Sequence, residues 1–396
     1  MMRIYADNAA TTKLSPAALA AMTPYLTECF GNPSSLYGEG QRAKEAVEDA
    51  RMRVARCIHA APREITFTSG GSEADNQAIL TAAAIGRKAG KRHIISDPVE
   101  HHAVLHTLKA LEEEGFTVEY LPMYENGVVK AEDLDQMIRD DTCLVTVMTA
   151  NNEIGTIQPV RELGAVCRMR GVLFHTDAVQ AVGHVPLDVE ADMIDLLSAS
   201  AHKFHGPKGT GFLFTRTGIR LEPLIRGGAQ ERGKRAGTEN VAGIVGMAKA
   251  LEDAVASMDE NGKKLTALRD RLIRGLSEIP HSALNGDPEK RLPSNVNFCF
   301  EGIEGESLLL YLDDHGVAAS SGSACTSGSL DPSHVLLAIG RPHDVAHGSL
   351  RLSLGEDATE EEADYLIETV KEAVNYLRSF SPVWRDLQAG KRMYIL

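Results

Sequence analysis

Short apolar runs alternate along the chain with longer stretches in which apolar positions recur every three or four residues. The short runs predict strands at 64–68, 93–96, 118–121, 143–148, 172–175, 193–198 and 211–214. The periodic stretches between most of them predict helices, among them 74–89, 103–114 and 160–170. Strand–helix alternation points to an α/β domain on a mostly parallel sheet, because parallel neighbours need a crossover and a helix usually supplies it. A long amphipathic period over about 241–278 predicts one helix. Strand patterns at 295–300, 317–320 and 349–354 come next, then a helical pattern at 360–377. We divide the chain near 257. The expected large domain spans 12–257, and a smaller C-terminal α/β domain comprises 258–396 with 1–11 packed on it. The length of 396 residues agrees with two domains, since single cores stop growing near ~250–300 residues.

Composition narrows the classes. Apolar residues make up 43% and charged residues 24%, as in ordinary globular chains. No apolar run reaches the ~18–20 residues that span a bilayer, so no membrane role is expected. The start, MMRIYADNAATT, lacks a basic stretch followed by an apolar one, and a cytoplasmic location is expected. A net charge of −14 repels phosphate backbones and argues against a nucleic-acid partner. The six cysteines form no CxxC pair, and no His/Cys spacing matches a metal site. Five read as small buried hydrophobes, as in DTCLVTVM and GAVCRMR. Cys325 differs: it lies in SSGSACTSGS, among residues too small to bury it.

Ligands of open α/β sheets bind beyond the carboxyl ends of the strands, so the residues just past each strand matter. After 64–68 comes Ser69-Gly70-Gly71-Ser72-Glu73 at the start of a helix, a candidate phosphate cup of backbone N–H groups and a hydroxyl. After 172–175 comes Asp177, which would bind a metal, cap a helix or face a cationic ligand. After 193–198 comes Ser200-Ala201-His202-Lys203, where a partly desolvated lysine gains a reactive amine. A phosphate cup, an imine-forming lysine and a carboxylate for a pyridine nitrogen are the parts that pyridoxal phosphate needs. A competing match, Gly228 to Lys234, has the GxxxxGK spacing of a nucleotide loop. Arg235 comes next, where Ser or Thr would hold magnesium, and no strong strand precedes it.

Further motifs run in order along nearly the whole chain: YADNAATT (5–12), FGNPSS (30–35), FTSGGSEADN (67–76), EHHAVLHT (100–107), NNEIGTIQP (151–159), FHTDAVQAVG (174–183), SASAHKFHGPKG (198–209), IRGGAQERGKRAGTEN (225–240) and SSGSACTSGSLDPSHV (320–335). With these the chain resembles the NifS/IscS group of cysteine desulfurases, class V enzymes with the fold type I pyridoxal-phosphate-dependent transferase architecture, and its wording is nearer NifS.

The resemblance implies a set of roles. Lys203 is the Schiff-base lysine, His101 stacks on the ring and takes part in proton transfer, and Asp177 pairs with the ring nitrogen. Asn152 and Gln180 bond the phenolic-oxygen side, and Asn152 also borders the substrate. Gly71, Ser72, Ser200 and His202 hold the phosphate. Thr238 reaches the phosphate of a second subunit, implying a homodimer. Arg351 takes the α-carboxylate of L-cysteine with a bidentate fork. Cys325 attacks the substrate sulfur and carries it as a persulfide on a Ser/Gly loop (about 320–331) that is able to swing toward an acceptor. It is also a candidate transient ligand of a nascent iron–sulfur cluster. The implied reaction yields L-alanine and passes sulfur to a NifU/IscU-like iron–sulfur scaffold or another acceptor. The alternatives are a selenocysteine lyase or an aminotransferase-like class V reaction. Ser72, Ala201 and Tyr37 depart from the commoner Thr, Gly and His of the group.

Overall fold

The computed structural model describes residues 2–321 and 332–396. Twelve strands occur among them: β1 (Ile4–Tyr5), β2 (Ile65–Thr68), β3 (His93–Ser96), β4 (Thr117–Tyr120), β5 (Thr142–Thr146), β6 (Leu173–Asp177), β7 (Leu196–Ser200), β8 (Gly211–Thr215), β9 (Ser282–Leu284), β10 (Asn295–Phe300), β11 (Val317–Ala318) and β12 (Ser349–Ser353). Seven form one sheet in the order β2-β8-β7-β6-β5-β3-β4. Its pairs are parallel except those on either side of β8. Strands β3, β5, β7 and β8 are buried at every position, which fits a sheet covered by helices on both faces.

Each expected strand is present, those at 93–96 and 295–300 with the expected bounds and the others with shifted ends. The segment expected at 193–198 starts at Leu196, because Met193 sits in a left-handed turn (φ 54°) held by the Asp188 and Asp192 side chains. The strand runs to Ser200 instead, and β6 runs to Asp177. Ser200 and Asp177 thus sit on rigid strand ends rather than in loops.

The second sheet orders β12-β10-β9, all antiparallel, and β1 pairs parallel with β11. The helix Val241–Ser277 connects the two parts. Ile244, Met247 and Leu251 pack in the core of the seven-stranded sheet, whereas Leu265, Leu268, Leu272 and Leu276 pack with Ile4, Val296, Phe298, Leu352 and Leu366. The helices Pro16–Thr27 and Gly38–Cys57 were not foreseen; they lie on the front part of that long helix. Tyr37 is exposed just before the second of them. Among the described residues no helix is long and apolar enough to cross a membrane.

The GxxxxGK look-alike is a structural anchor. Glu231 and Arg232 both take left-handed backbone angles. The Glu231 carboxylate accepts two bonds from Arg51, at 2.7 and 2.8 Å, and one from the Phe67 N–H at 3.0 Å. Both charged side chains are buried. Removing one partner of such a pair strands the other charge in the interior. Glu231→Ala should therefore destabilise the protein by about 3 kcal/mol, measured by urea unfolding, with Glu231→Gln intermediate because it still caps Phe67.

Candidate active site

Beyond the carboxyl ends of β6 and β7 lies a cavity of about 400 Å³, lined at one end by Gly71, Ser72, Ser200 and His202 and at the other by Asn152, Ser320 and Arg351. The phosphate end is built on the helix Gly71–Lys88, whose first N–H groups have no partner within the helix. Gly70 takes a φ of +153°, a region almost reserved for glycine. A Cβ on Gly71 would lie 2.6 Å from Val179 Cγ2, so that residue must be glycine for the backbone to come this close. Strand β8 closes the other flank: a Cβ on Gly211 would lie 2.7 Å from Gly70 Cα. Burial and the charges of Lys203 and Lys208 push the His202 imidazole down to about 4, so it is neutral and accepts or donates without adding charge. Its Nδ1 lies 3.1 Å from Thr11 Oγ1. Ala201 is fully buried, and the adjacent backbone accommodates it through Gly206.

Lys203 lies on a single 3-10 turn directly after β7. Its Nζ donates to the carbonyls of Ala9 at 2.6 Å and Ala10 at 2.8 Å. Gln180 Nε2 donates to the same Ala9 carbonyl at 2.9 Å. Asp177 ends β6 with Oδ1 accepting the Val179 N–H at 2.8 Å, the capping bond that an Asp at a strand end makes. Burial pushes its carboxyl up, while His101 and Lys203 pull it back toward the ionised form. His101 precedes the helix His102–Glu113 and caps it, its Nδ1 accepting the Ala103 N–H at 3.1 Å. A neutral His101 ring therefore carries its proton on Nε2, which makes that nitrogen a donor in the proton transfer that the family resemblance implies.

Several buried carboxyls beside the site are not evident in the sequence. Asp75, His101 and Asp177 each bring one ligand-type atom within 4.8 Å of the others. Burial, reinforced by the Asp177 charge, pushes Asp75 well up; it does the same for Glu100, and it holds Asp97 at about 7. Burial likewise raises Glu153 to about 8, against the opposing effects of its bond from Ser333 Oγ (2.7 Å) and of Arg351. The signal available was an acidic residue inside apolar or small-residue motifs, in SEADN, DPVEHH and NNEIG, where solvation is not available.

Arg351, on β12, reaches across to the cavity. Its Nη2 donates to Asp7 Oδ1 at 2.7 Å and its Nη1 to the Asn152 carbonyl at 3.3 Å. Thr238 stands apart from the cavity, exposed just before the helix Val241–Ser277. Its segment is tied to the phosphate end by the Arg235–Glu73 ion pair at 2.9 Å. Cys325 lies outside the described residues. Of the other five cysteines, Cys143, Cys167 and Cys299 are buried as expected, and Cys29 and Cys57 are half-buried because they sit at helix ends.

Helix N-terminus, glycine cradle, strand-end lysine and buried carboxylate fit a phosphorylated pyridine aldehyde at both ends, and with the mixed seven-stranded sheet they define a fold type I pyridoxal-phosphate enzyme. The class V aminotransferase family matches residues 4–366. Cysteine desulfurases IscS of Clostridium botulinum and Methanosarcina thermophila are each 55% identical to this chain, over 98% of both chains in the first case and over 96% of this chain and 94% of the relative in the second. A solved NifS-like protein is 41% identical with a TM-score of 0.89, covering 95% of this chain and all of that one. SspA, solved in complex with cysteine, is 35% identical with a TM-score of 0.77, covering 89% of this chain and 98% of that one. The chain belongs to the class V aminotransferase family, in its cysteine desulfurase branch, and depends on pyridoxal phosphate.

Two outcomes test this site. Gly71→Ala should lower cofactor occupancy of the purified protein at least tenfold, read as lost visible absorbance, because the added methyl overlaps Val179. Glu153→Gln probes burial. Its folded value is raised above its unfolded one, so wild-type stability is full below ~4.3 and falls as pH rises toward about 8. The Gln variant has no such loss. Its unfolding midpoint should exceed wild type at pH 8 and match it near pH 4.3.

Proposed function

We propose that this chain desulfurates L-cysteine, with Lys203 as the imine-forming lysine and proton carrier at the substrate α-carbon, and Cys325 as the sulfur acceptor. The carrying observation is the single cavity that gathers Lys203, Asp177, His101 and Arg351 around a phosphate-type cradle. Pyridoxal phosphate supplies an aldehyde for the substrate amine and a ring that accepts electrons from the α-carbon.

The residues divide the remaining work. Gly71, Ser72, Ser200 and His202 would hold the phosphate, and Asp177 would keep the ring nitrogen protonated. Gln180 and Asn152 would hydrogen-bond the phenolic-oxygen side. Arg351 orients the substrate through its α-carboxylate. Lys203, fixed by two carbonyls, moves the α-proton; His101 delivers a proton through Nε2. The Cys325 thiolate attacks the substrate sulfur, so the substrate C–S bond breaks and an S–S bond forms. Of the two thiol protons, one ends on the methyl carbon of L-alanine and one on the persulfide. Ser320 lines the cavity and pairs with Arg351 through 2.7 and 3.2 Å backbone bonds. Cys325 comes five residues later, within ~17 Å along an extended chain.

Thr238 serves the phosphate of a second copy, which makes the working form a homodimer. The persulfide passes to an iron–sulfur scaffold protein of the NifU/IscU type in the cytoplasm, where thiols stay reduced.

The test is turnover of L-cysteine by the purified protein with a thiol reductant, counting alanine and sulfide. Equal yields are expected. Lys203→Ala should lose turnover by at least a thousandfold. Cys325→Ala should keep cofactor absorbance and its change on adding cysteine, yet form no persulfide. Normal desulfuration by Cys325→Ala refutes the assignment, and cofactor absorbance without alanine points to another class V substrate.

A further inference from the structure

The carboxylate of Asp7 sits on the same guanidinium that the proposed function assigns to the substrate. Its Oδ1 lies 2.7 Å from Arg351 Nη2, and both residues line the cavity. Arg351 is 4% exposed at its side chain and Asp7 20%, so the pair is little screened. The rest of the guanidinium is thinly held. Nη1 has the Asn152 carbonyl at 3.3 Å, and Nε is buried with no hydrogen-bond partner among the described residues. The second carboxyl near Arg351, that of Glu153, is kept protonated by burial at neutral pH. Asp7 is thus the anion that balances Arg351. An incoming α-carboxylate either adds a second anion to one cation in a desolvated place or takes the guanidinium from Asp7.

We propose that Asp7 is a positioning residue that holds Arg351 ready and competes with the substrate α-carboxylate for it, so that substrate entry transfers the guanidinium from Asp7 to the substrate. The inference rests on the reading of Arg351 as the carboxylate-binding residue. It assigns Asp7 a cost in affinity: part of what Arg351 gives the substrate is spent on leaving Asp7. The placement suits an exchange. Asp7 lies at the start of the segment that touches Lys203 through Ala9 and Ala10, and its partial exposure lets water solvate the carboxylate once released.

The experiment uses the cofactor-loaded enzyme and L-alanine, which has the same α-carboxylate and no sulfur. Calorimetric titration should give Asp7→Asn a Kd about tenfold lower than wild type, equal to roughly 1.4 kcal/mol. KM for L-cysteine should fall in parallel. Asp7→Glu should return the Kd toward wild type, because the competing charge is restored. L-alanine should also raise the melting temperature of Asp7→Asn more than that of wild type, since the ligand then supplies the only strong anion for a buried cation. An unchanged or weaker Kd in a folded, cofactor-loaded Asp7→Asn overturns the proposal and leaves Arg351 in its role if Arg351→Ala weakens alanine binding. If Arg351→Ala leaves the Kd unchanged, the carboxylate reading falls, and the Asp7 proposal with it.

Discussion

The ammonium of Lys203 is held by two backbone carbonyls from the far end of the chain, and the geometry of the site depends on that contact. Carbonyls 9 and 10 have no rotamers to relax, so the lysine is as well placed as the segment that carries them. That segment is pinned on both sides. Asn8 and Ala9 donate to Ser353 at the end of β12, and Ser353 donates to Ala6 at 2.7 Å. Thr12 meets the His202 carbonyl through both its N–H and its hydroxyl, each at 2.9 Å. Lys203 from one sheet and Arg351 from the other therefore share one spacer. A substrate whose amine goes to the lysine side and whose carboxylate goes to the arginine meets a distance set by a few residues of backbone.

The electrostatics of the cavity result from how few charges burial tolerates. Asp75, Asp97, Glu100 and Asp177 converge behind the site, and four ionised carboxylates there would repel strongly. Burial pushes Asp75 and Glu100 to the neutral form. Asp177 is the member that faces His101 and Lys203, and both favour its ionised form against the burial that pushes it up. An ionised Asp177 is thereby favoured at the position where the proposed function needs a carboxylate for a protonated ring nitrogen. At the other end Arg351 is balanced by Asp7, while Glu153 stays neutral. Each pole of the cavity thus sets a cation beside a carboxylate, Lys203 near Asp177 and Arg351 on Asp7, which leaves local fields for a zwitterionic substrate.

Most of the framework was legible in the sequence, and the reason is periodicity. Strands such as His93–Ser96 have an apolar centre, and Asn295–Phe300 alternates polar and apolar positions along NVNF before two more apolar residues. The motif glycines advertised the phosphate cradle because tight turns leave few other choices. Three features were not legible. Strand β8 runs against its neighbours, and an apolar run of five carries no sign of its direction. The helices Pro16–Thr27 and Gly38–Cys57 have weak signatures; in the first, alanines dominate and blur the apolar stripe. Asp7 stands inside the motif YADNAATT with nothing local to mark its role, because its partner lies 344 residues away and the bridging of its own segment to Ser353 at the end of β12 brings them together.

The distribution of thiols sharpens the assignment of the sulfur acceptor. A nucleophilic thiol must ionise near neutral pH and reach the substrate. Burial pushes Cys57, Cys143 and Cys299 up to about 11 and Cys167 higher still, which leaves them protonated. None of the five described cysteines lines the cavity. The apolar burial that makes these thiols inert is absent from the sequence around Cys325, where serine and glycine give no side chains large enough to desolvate it. Its described flank, Ser320, is anchored by backbone bonds to Arg351, the residue proposed to fix the substrate. Five thiols are thus kept from the cavity by burial or position, which supports the proposal that the sixth, Cys325, is the sulfur acceptor.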